Sequence, residues 1–295
     1  MNSTFEIPLW PAAAPGSEAL TLTEIIEERS PDTAAFRDRA IHAIARPRMT
    51  VFTPERPTGV AVLLAPGGGY QRVVWDKEGV EVAHWLTSLG ITACLLVYRL
   101  PGEGHERGFD VPLQDAQRAM RLIRQRAVEW GLDAGRVGAM GFSAGGHVIA
   151  SLATGFARQV YAPCDAADEI SARPDFVMLG YPVISMNAEI THPVSCQKLL
   201  GKHADAAMLK AFSCDECVTA ETPESFIFLP DDDASVSPEN SIRYYLALHR
   251  AGVKAELHVF RDGGHGFGIR LATGPSRAWT TLCESWLRNN NWLDR

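Results

Sequence analysis

The sequence predicts an α/β fold: a mostly parallel central sheet with helices on both faces. Three observations predict it. After residue 48, apolar runs alternate with helix-like stretches, as in chains that build parallel strands through helical crossovers. One helix is well marked, because Leu113, Ala116, Met120, Ile123, Ala127 and Trp130 recur at alternating three- and four-residue spacing. The third is a strand, sharp turn and helix in immediate succession around Gly141-Phe142-Ser143-Ala144-Gly145.

The strand candidates lie near 48–53, 60–65, 91–98, 136–141, 176–180, 225–230 and 255–260. Residues 1–45 are rich in Pro, Ala and acids and read as an N-terminal extension wrapping the surface. Residues 183–220 separate two strands and are the candidate for a small lid or substrate loop. The marked helix carries Arg118, Arg121 and Arg124 on its other face, which reads as a solvated face.

The turn at 141–145 has the form of a nucleophile elbow. Glycines two positions before and after Ser143 let strand and helix pass close together. The bend lifts the Ser143 hydroxyl out of the sheet, where a base can reach it. GxSxG alone is a weak pattern, so the partners matter. A serine hydroxyl needs a base within hydrogen-bond reach, and the base needs an orienting carboxylate. His265, in Asp262-Gly263-Gly264-His265-Gly266-Phe267, follows the strand-like run 255–260 and is the candidate base. The run 225–229 leads into Pro230-Asp231-Asp232-Asp233, where the acid belongs. Three adjacent acids cannot all be desolvated cheaply, so one or two should face water. Spacing alone does not choose among them.

The tetrahedral intermediate also needs donors for its negative oxygen. The strand-like run 60–65 ends in Pro66-Gly67-Gly68-Gly69-Tyr70, whose amides can point into a shared cavity. Gly68 and Gly69 are the candidate donors, with the amide of Ala144 beside the nucleophile. The loop lacks the lysine and Ser/Thr of a P-loop and the GxGxxG spacing.

These stretches resemble α/β-hydrolases of the esterase type. In particular, the chain is similar to the bacterial acetyl xylan esterase-like and feruloyl esterase-like family related to hormone-sensitive-lipase enzymes. The resemblance runs over roughly residues 60 to 290. It is carried by Pro66 to Tyr70, Lys77-Glu78-Gly79, Val97-Tyr98-Arg99-Leu100 and Asp115 to Ile123. It continues through Gly141 to His147, Pro223 to Phe226, Asp232 to Ser241 and Gly264 to Phe267. The family loop Asp-Asp-x-x-Val-Pro implies Asp233 as the triad acid, with Val236 fixing the register and Asp232 as the fallback. Ser237 stands where the family usually has Pro, and Leu229 where it usually has His.

The resemblance implies a serine carboxylic-ester hydrolase with Ser143, Asp233 and His265 as triad. It implies short acyl substrates, foremost acetyl on xylan-derived sugars. A general short-chain carboxylesterase or a feruloyl esterase is the alternative. A non-catalytic hydrolase-fold binding protein is a rival of another class, and such proteins typically lose a triad member. A peptidase of this fold usually carries a propeller or large cap, and a propeller has no room here. The chemistry requires no metal or organic cofactor. The partner is a small-molecule or oligosaccharide ester. Tyr70, next to the glycine loop, is expected to border the acyl pocket.

A chain of 295 residues fits one α/β domain. The formal charge is −7 with no basic block, which argues against nucleic acid or an anionic membrane as partner. No apolar run approaches about 18–20 residues, so no transmembrane helix is expected. The stretch Met1 to Glu6 lacks a basic region followed by an apolar run, so no signal peptide is read there. A cytoplasmic location is expected, or a periplasmic or secreted one where a signal has been removed. Six cysteines are not a disulfide framework at this length. Cys94 reads as a buried free thiol. Cys214 and Cys217 form one CxxC without the further ligands a zinc site needs. His147 reads as a structural hydrogen-bonding residue. Glu78 reads as an acid at a helix start, placed by the dipole. Trp75, Trp85, Trp130 and Trp286 read as core or rim.

Overall fold

The computed structural model describes residues 3–293. Eleven strands follow in chain order: β1 Thr4–Pro8, β2 Ile25–Glu28, β3 Arg39–His42, β4 Arg48–Phe52, β5 Ala61–Ala65, β6 Val73–Val74, β7 Thr92–Val97, β8 Val137–Phe142, β9 Phe176–Gly180, β10 Glu224–Pro230 and β11 Ala255–Phe260. Eight of them form one sheet in the order β1-β4-β7-β5-β8-β9-β10-β11. The contacts β1–β4 and β4–β7 are antiparallel, and the pairs from β7 to β11 are parallel. All seven strand candidates from the sequence are members of this sheet. The strands β2, β3 and β6 form a separate small sheet.

The helices are α1 Glu81–Ser88, α2 Val111–Gln125, α3 Ser143–Gly155, α4 Pro193–Leu200, α5 Ala206–Ala211, α6 Glu239–Arg250 and α7 Trp279–Asn289. The central strands are buried on both faces, and successive side chains feed two separate cores. Leu63, Cys94 and Ala139 pack in one layer with Ala116 and Met120 of α2, Val148 of α3 and Tyr244 of α6. Leu64, Leu95 and Met140 pack in the other with Val82 and Leu86 of α1 and Trp279 and Leu287 of α7. The strand ends are thereby fixed from both sides, and the loops leaving them are placed on a rigid base.

Two readings are corrected here. The regular part of α2 stops at Gln125, and the chain through Trp130 turns more loosely before closing on Gly131 at φ 67. The arginine face of α2 is not solvated. Arg118 is 2% exposed; its Nε donates to the Leu9 carbonyl at 2.8 Å and its guanidinium pairs with Asp165 and Asp168. Arg121 donates to the carbonyl of Ile170 and the hydroxyl of Tyr161, and Arg124 to the carbonyls of Ala134 and Arg173. The reason is that residues 156–175 fold back over this face and leave carbonyls there that need donors.

Within 1–45, β1 extends the main sheet at β4, while Leu9, Trp10 and Ala14 belong to the core. Cys94 is a buried free thiol, and Cys214 and Cys217 are free as well. Trp85 packs edge-on against Trp279, and Trp286 is buried beside Phe226. Among the described residues, no helix is long and apolar enough to cross a membrane.

Candidate active site

The turn from β8 into α3 is as tight as the glycine spacing demands. A Cβ on Gly141 would lie 2.3 Å from the Gly145 carbonyl oxygen, and one on Gly145 would lie 2.2 Å from that of Ala65. Either side chain would force the helix off the sheet. Ser143 sits at the apex with φ 53, a left-handed backbone that costs a non-glycine residue roughly 1–3 kcal/mol and persists only when its surroundings hold it. The residue lines an open cleft of about 280 Å³.

Ser143, His265 and Asp233 are brought together. Ser143 Oγ lies 2.8 Å from His265 Nε2, and His265 Nδ1 lies 2.6 Å from Asp233 Oδ2. Asp233 Oδ1 accepts the amides of Ser235 at 2.8 Å and Val236 at 2.9 Å. Burial pushes the Asp233 carboxyl up, but the hydrogen bond and charge of His265, with those two amides, hold it below the usual range. An acceptor-only carboxylate at Nδ1 places the imidazole proton there. Nε2 is then left as the acceptor for the serine hydroxyl. Asp231 and Asp232 are exposed, and Asp232 Oδ1 accepts the Gly264 amide at 2.8 Å on the loop that carries His265.

Gly68 has φ 131, and a Cβ there would lie 2.0 Å from the Arg72 carbonyl oxygen, so the bend requires glycine. Gly68 and Gly69 both line the cleft over Ser143, and among the described residues their amides have no acceptor. Ala144 stands in the first turn of α3, where helix amides lack an intrahelical partner. The amide of Gly67 is turned away and donates to Glu78 Oε2 at 2.9 Å.

Tyr70 is placed elsewhere than expected. It is 2% exposed, and its hydroxyl lies 2.7 Å from His147 Nδ1. His147 Nε2 lies 2.8 Å from the Phe212 carbonyl, to which it can only donate, so Nδ1 accepts from Tyr70. Tyr70 is thus drawn away from the cleft, beside a void of about 10 Å³ bordered by Leu199 and Phe212. His147 is a buried structural histidine, with its pKa lowered to about 4 by burial.

Three neighbours of the site were not assigned to it from the sequence. His192 starts α4 and lines the cleft opposite Gly69. Its signal was a His-Pro pair inside the 183–220 stretch. Tyr181 follows β9, and its ring lies 5.2 Å from that of His265, edge-on. Glu78 lies in the helical turn Asp76–Val80 ahead of α1, but its carboxylate is fixed by Gly67 and Tyr181 rather than by a helix dipole. A larger cavity of about 530 Å³, between Trp10, Ala14, Leu20 and Pro47, is lined by none of Ser143, Asp233 and His265. The possible metal ligands Cys164, Asp165 and Asp168 cluster away from the cleft, and both acids are ion-paired with Arg118.

Known proteins resemble this chain in sequence and fold. The BD-FAE family model matches residues 53–248. The acetylxylan esterase of Xylanibacter ruminicola is 34% identical over 226 residues, which are 75% of this chain and 44% of that protein, so the chain spans less than half of its relative's length. The crystal structure of an acetyl ester-xyloside bifunctional hydrolase from Caldicellulosiruptor lactoaceticus superposes with a TM-score of 0.79 at 33% identity, covering 98% of this chain and 97% of that one. A carboxylesterase from Lactobacillus plantarum WCFS1 shares the fold, with a TM-score of 0.71 at 23% identity over 92% of this chain and 99% of its own. The match over residues 53–248 includes the glycine loop, the elbow and Asp233, and the chain belongs to the BD-FAE family, on an α/β-hydrolase fold.

Proposed function

We propose that the protein is a serine carboxylic-ester hydrolase that removes short acyl groups, acetyl foremost, from carbohydrate-derived substrates such as xylo-oligosaccharides. The observation that carries the reaction type is the unbroken hydrogen-bonded series Ser143, His265, Asp233 at the elbow. Ser143 Oγ attacks the ester carbonyl carbon as His265 Nε2 takes its proton. The carbonyl oxygen becomes an oxyanion held by the amides of Gly68, Gly69 and Ala144. The intermediate collapses, the alkoxy group leaves with the proton from His265, and the acyl group stays on Ser143. Water, deprotonated by His265, then frees the acid and restores the serine. Asp233 holds the imidazole tautomer and balances the imidazolium.

Two things support the substrate class. The cleft is lined by polar side chains, among them Arg29, Gln71, Arg72, Lys77, His192 and Ser235, which suit sugar hydroxyls better than a long acyl chain. The relatives named for acetylated xylan and acetyl xylosides point the same way. The 183–220 stretch acts as a small lid whose His192 forms one wall of the cleft.

The test is covalent labelling by a fluorophosphonate together with turnover of an acetyl, butyryl, octanoyl and feruloyl ester series. Labelling at Ser143 is expected, with kcat/KM highest for acetyl. Ser143→Ala should lose label and lower kcat by roughly 10³–10⁶ while staying folded. Near-normal turnover by the folded variant would end this reading, and a preference for octanoyl would end the acetyl assignment.

A further inference from the structure

A single carboxylate joins the two loops the reaction depends on. Glu78 is 2% exposed. Its Oε2 accepts the Gly67 amide at 2.9 Å, and its Oε1 accepts the Tyr181 hydroxyl at 2.9 Å. The Tyr181 oxygen accepts the Gly268 amide at 2.9 Å, three residues beyond His265. Amides only donate, so the phenolic proton of Tyr181 is left for Glu78, and both Glu78 oxygens act as acceptors. Burial, and next the charge of Glu78, push the Tyr181 phenol well up, which keeps that proton on the oxygen.

We propose that Glu78 is a positioning residue: through Gly67 on one side and Tyr181 with Gly268 on the other, it sets the separation between the oxyanion amides and the catalytic base. The inference rests on the esterase reading above. Gly67 has no slack, because a Cβ there would lie 2.8 Å from Glu78 Oε2, from the Phe142 carbonyl oxygen and from Ser143 Cβ. The next two residues are Gly68 and Gly69, so any shift of Gly67 carries the oxyanion donors with it. On the other side, the Tyr181 ring buttresses His265 while its hydroxyl pins the chain beyond it. An acid buried at this depth is costly unless its oxygens are hydrogen-bonded, and an apolar side chain would fill the same space without that cost. What an apolar residue cannot do is hold the Gly67 amide turned away from the cleft.

The experiment compares Glu78→Gln, Tyr181→Phe and the double variant with the wild type on one acetyl ester. Misplacing oxyanion donors should lower kcat by about 10- to 100-fold in each single variant with KM little changed. The rate of fluorophosphonate labelling should fall in step, because the phosphoryl oxygen occupies the same amides. The double variant should be no worse than the worse single one, since both break the same linkage. If Glu78→Gln does not fold, Tyr181→Phe decides, because it removes one oxygen and leaves the ring. Wild-type kcat and labelling in variants whose Tm alone has fallen would mean that Glu78 only packs, and would overturn the inference. A wild type that neither labels nor turns over ester would overturn the esterase reading and this inference with it. A labelled, active wild type beside unimpaired variants overturns this inference alone.

Discussion

His265 Nδ1 lies 2.6 Å from Asp233 Oδ2, while the neighbouring Asp232 turns its carboxylate to the backbone of the same histidine loop, 2.8 Å from the Gly264 amide. Two adjacent acids thus touch one loop in different ways. Asp233 is buried and fixes the ring; Asp232 is exposed and fixes the chain.

The first prediction separates these roles. Asp233→Asn keeps the shape but offers an amide that can donate to Nδ1, favouring the tautomer with its proton on Nε2. The cost should be on the order of 10⁴ in kcat. Asp232→Asn retains an oxygen for the Gly264 amide, and its charge is solvated, so kcat should fall only a few-fold, by about the effect of one neutral hydrogen bond. Measuring both with one acetyl ester is decisive, and a larger loss in Asp232→Asn would reassign the acid.

The second prediction concerns His192. His192 Nδ1 accepts the Ser195 amide at 3.3 Å and lies 2.8 Å from the Ser195 hydroxyl, so the proton of the neutral ring sits on Nε2, and the residue lines the cleft. Burial, then the nearby His265, lower its pKa, which keeps the ring neutral. A neutral ring with its proton on Nε2 has one hydrogen bond to offer a sugar hydroxyl in the cleft it lines. His192→Ala should raise KM for an acetylated xylo-oligosaccharide by roughly 3- to 10-fold, as expected for one lost hydrogen bond. KM for 4-nitrophenyl acetate, which has no sugar, should hardly move. Equal effects on both substrates would remove His192 from sugar contact.

Much of this site was legible because its chemistry is written in local patterns. The elbow needs Gly141 and Gly145 at fixed offsets, and the loop proposed to hold the oxyanion carries consecutive glycines after a buried strand. His265 and Asp233 each follow a strand end. The choice of Asp233 over Asp232 came from family register rather than spacing, because spacing says nothing about which of three acids is desolvated. Tyr70 could not be placed, since adjacency to Gly69 does not fix a direction. With φ 58 at Tyr70, the backbone turns the side chain inward to His147. Glu78 and Tyr181 were missed as a pair because they are 103 residues apart and meet only in the folded chain. The strand Thr4–Pro8 carried a period-two signal, with Phe5 and Ile7 facing inward, but the surrounding Pro- and Ala-rich composition hid it.

The third prediction tests the arginine face that sequence periodicity assigned to solvent. Arg118 joins α2 to the Leu9 carbonyl, to Asp165 and to Asp168, whose side chain is 1% exposed. Its guanidinium also lies 5.6 Å from the Trp10 ring. Removing one member of a buried pair leaves the other uncompensated. Arg118→Met should therefore lower unfolding free energy in urea by about 3 kcal/mol, the lower end of the range for such pairs. The lower end applies because Asp168 keeps the Tyr161 hydroxyl at 2.6 Å and the Cys164 amide at 2.9 Å. The kcat of the folded enzyme should be unchanged. A loss below about 1 kcal/mol would match an exposed ion pair and restore the solvated reading.

The last prediction concerns acid stability and rests on His147. Burial lowers its pKa from 6.5 to about 4, against the opposing hydrogen bond to the Phe212 carbonyl. In the folded chain the ring stays neutral until pH falls to about 4, so Nδ1 remains free to accept from Tyr70. In the unfolded chain it takes up a proton as pH drops through 6.5. Between these values the unfolded state binds more protons, so stability must rise with pH across that window. His147 contributes its full share above 6.5, loses it as pH falls, and has no further effect below about 4. The ceiling on that loss is about 3 kcal/mol, from some 2.5 pH units at 1.36 kcal/mol each. Replacing His147 by Gln removes the titrating group. Urea unfolding of both proteins at pH 7, 5.5 and 4.5 should give a shallower pH dependence for the variant, whatever its absolute stability. Parallel curves would mean that His147 is not linked to folding in this range. Asp233, whose carboxyl is held below its ordinary value in the folded chain, contributes stability that is present above the ordinary carboxylate value and is lost as pH falls from there to its folded value. The two residues therefore act in separate pH windows, and the variant curve should rejoin the wild-type slope at the acid end.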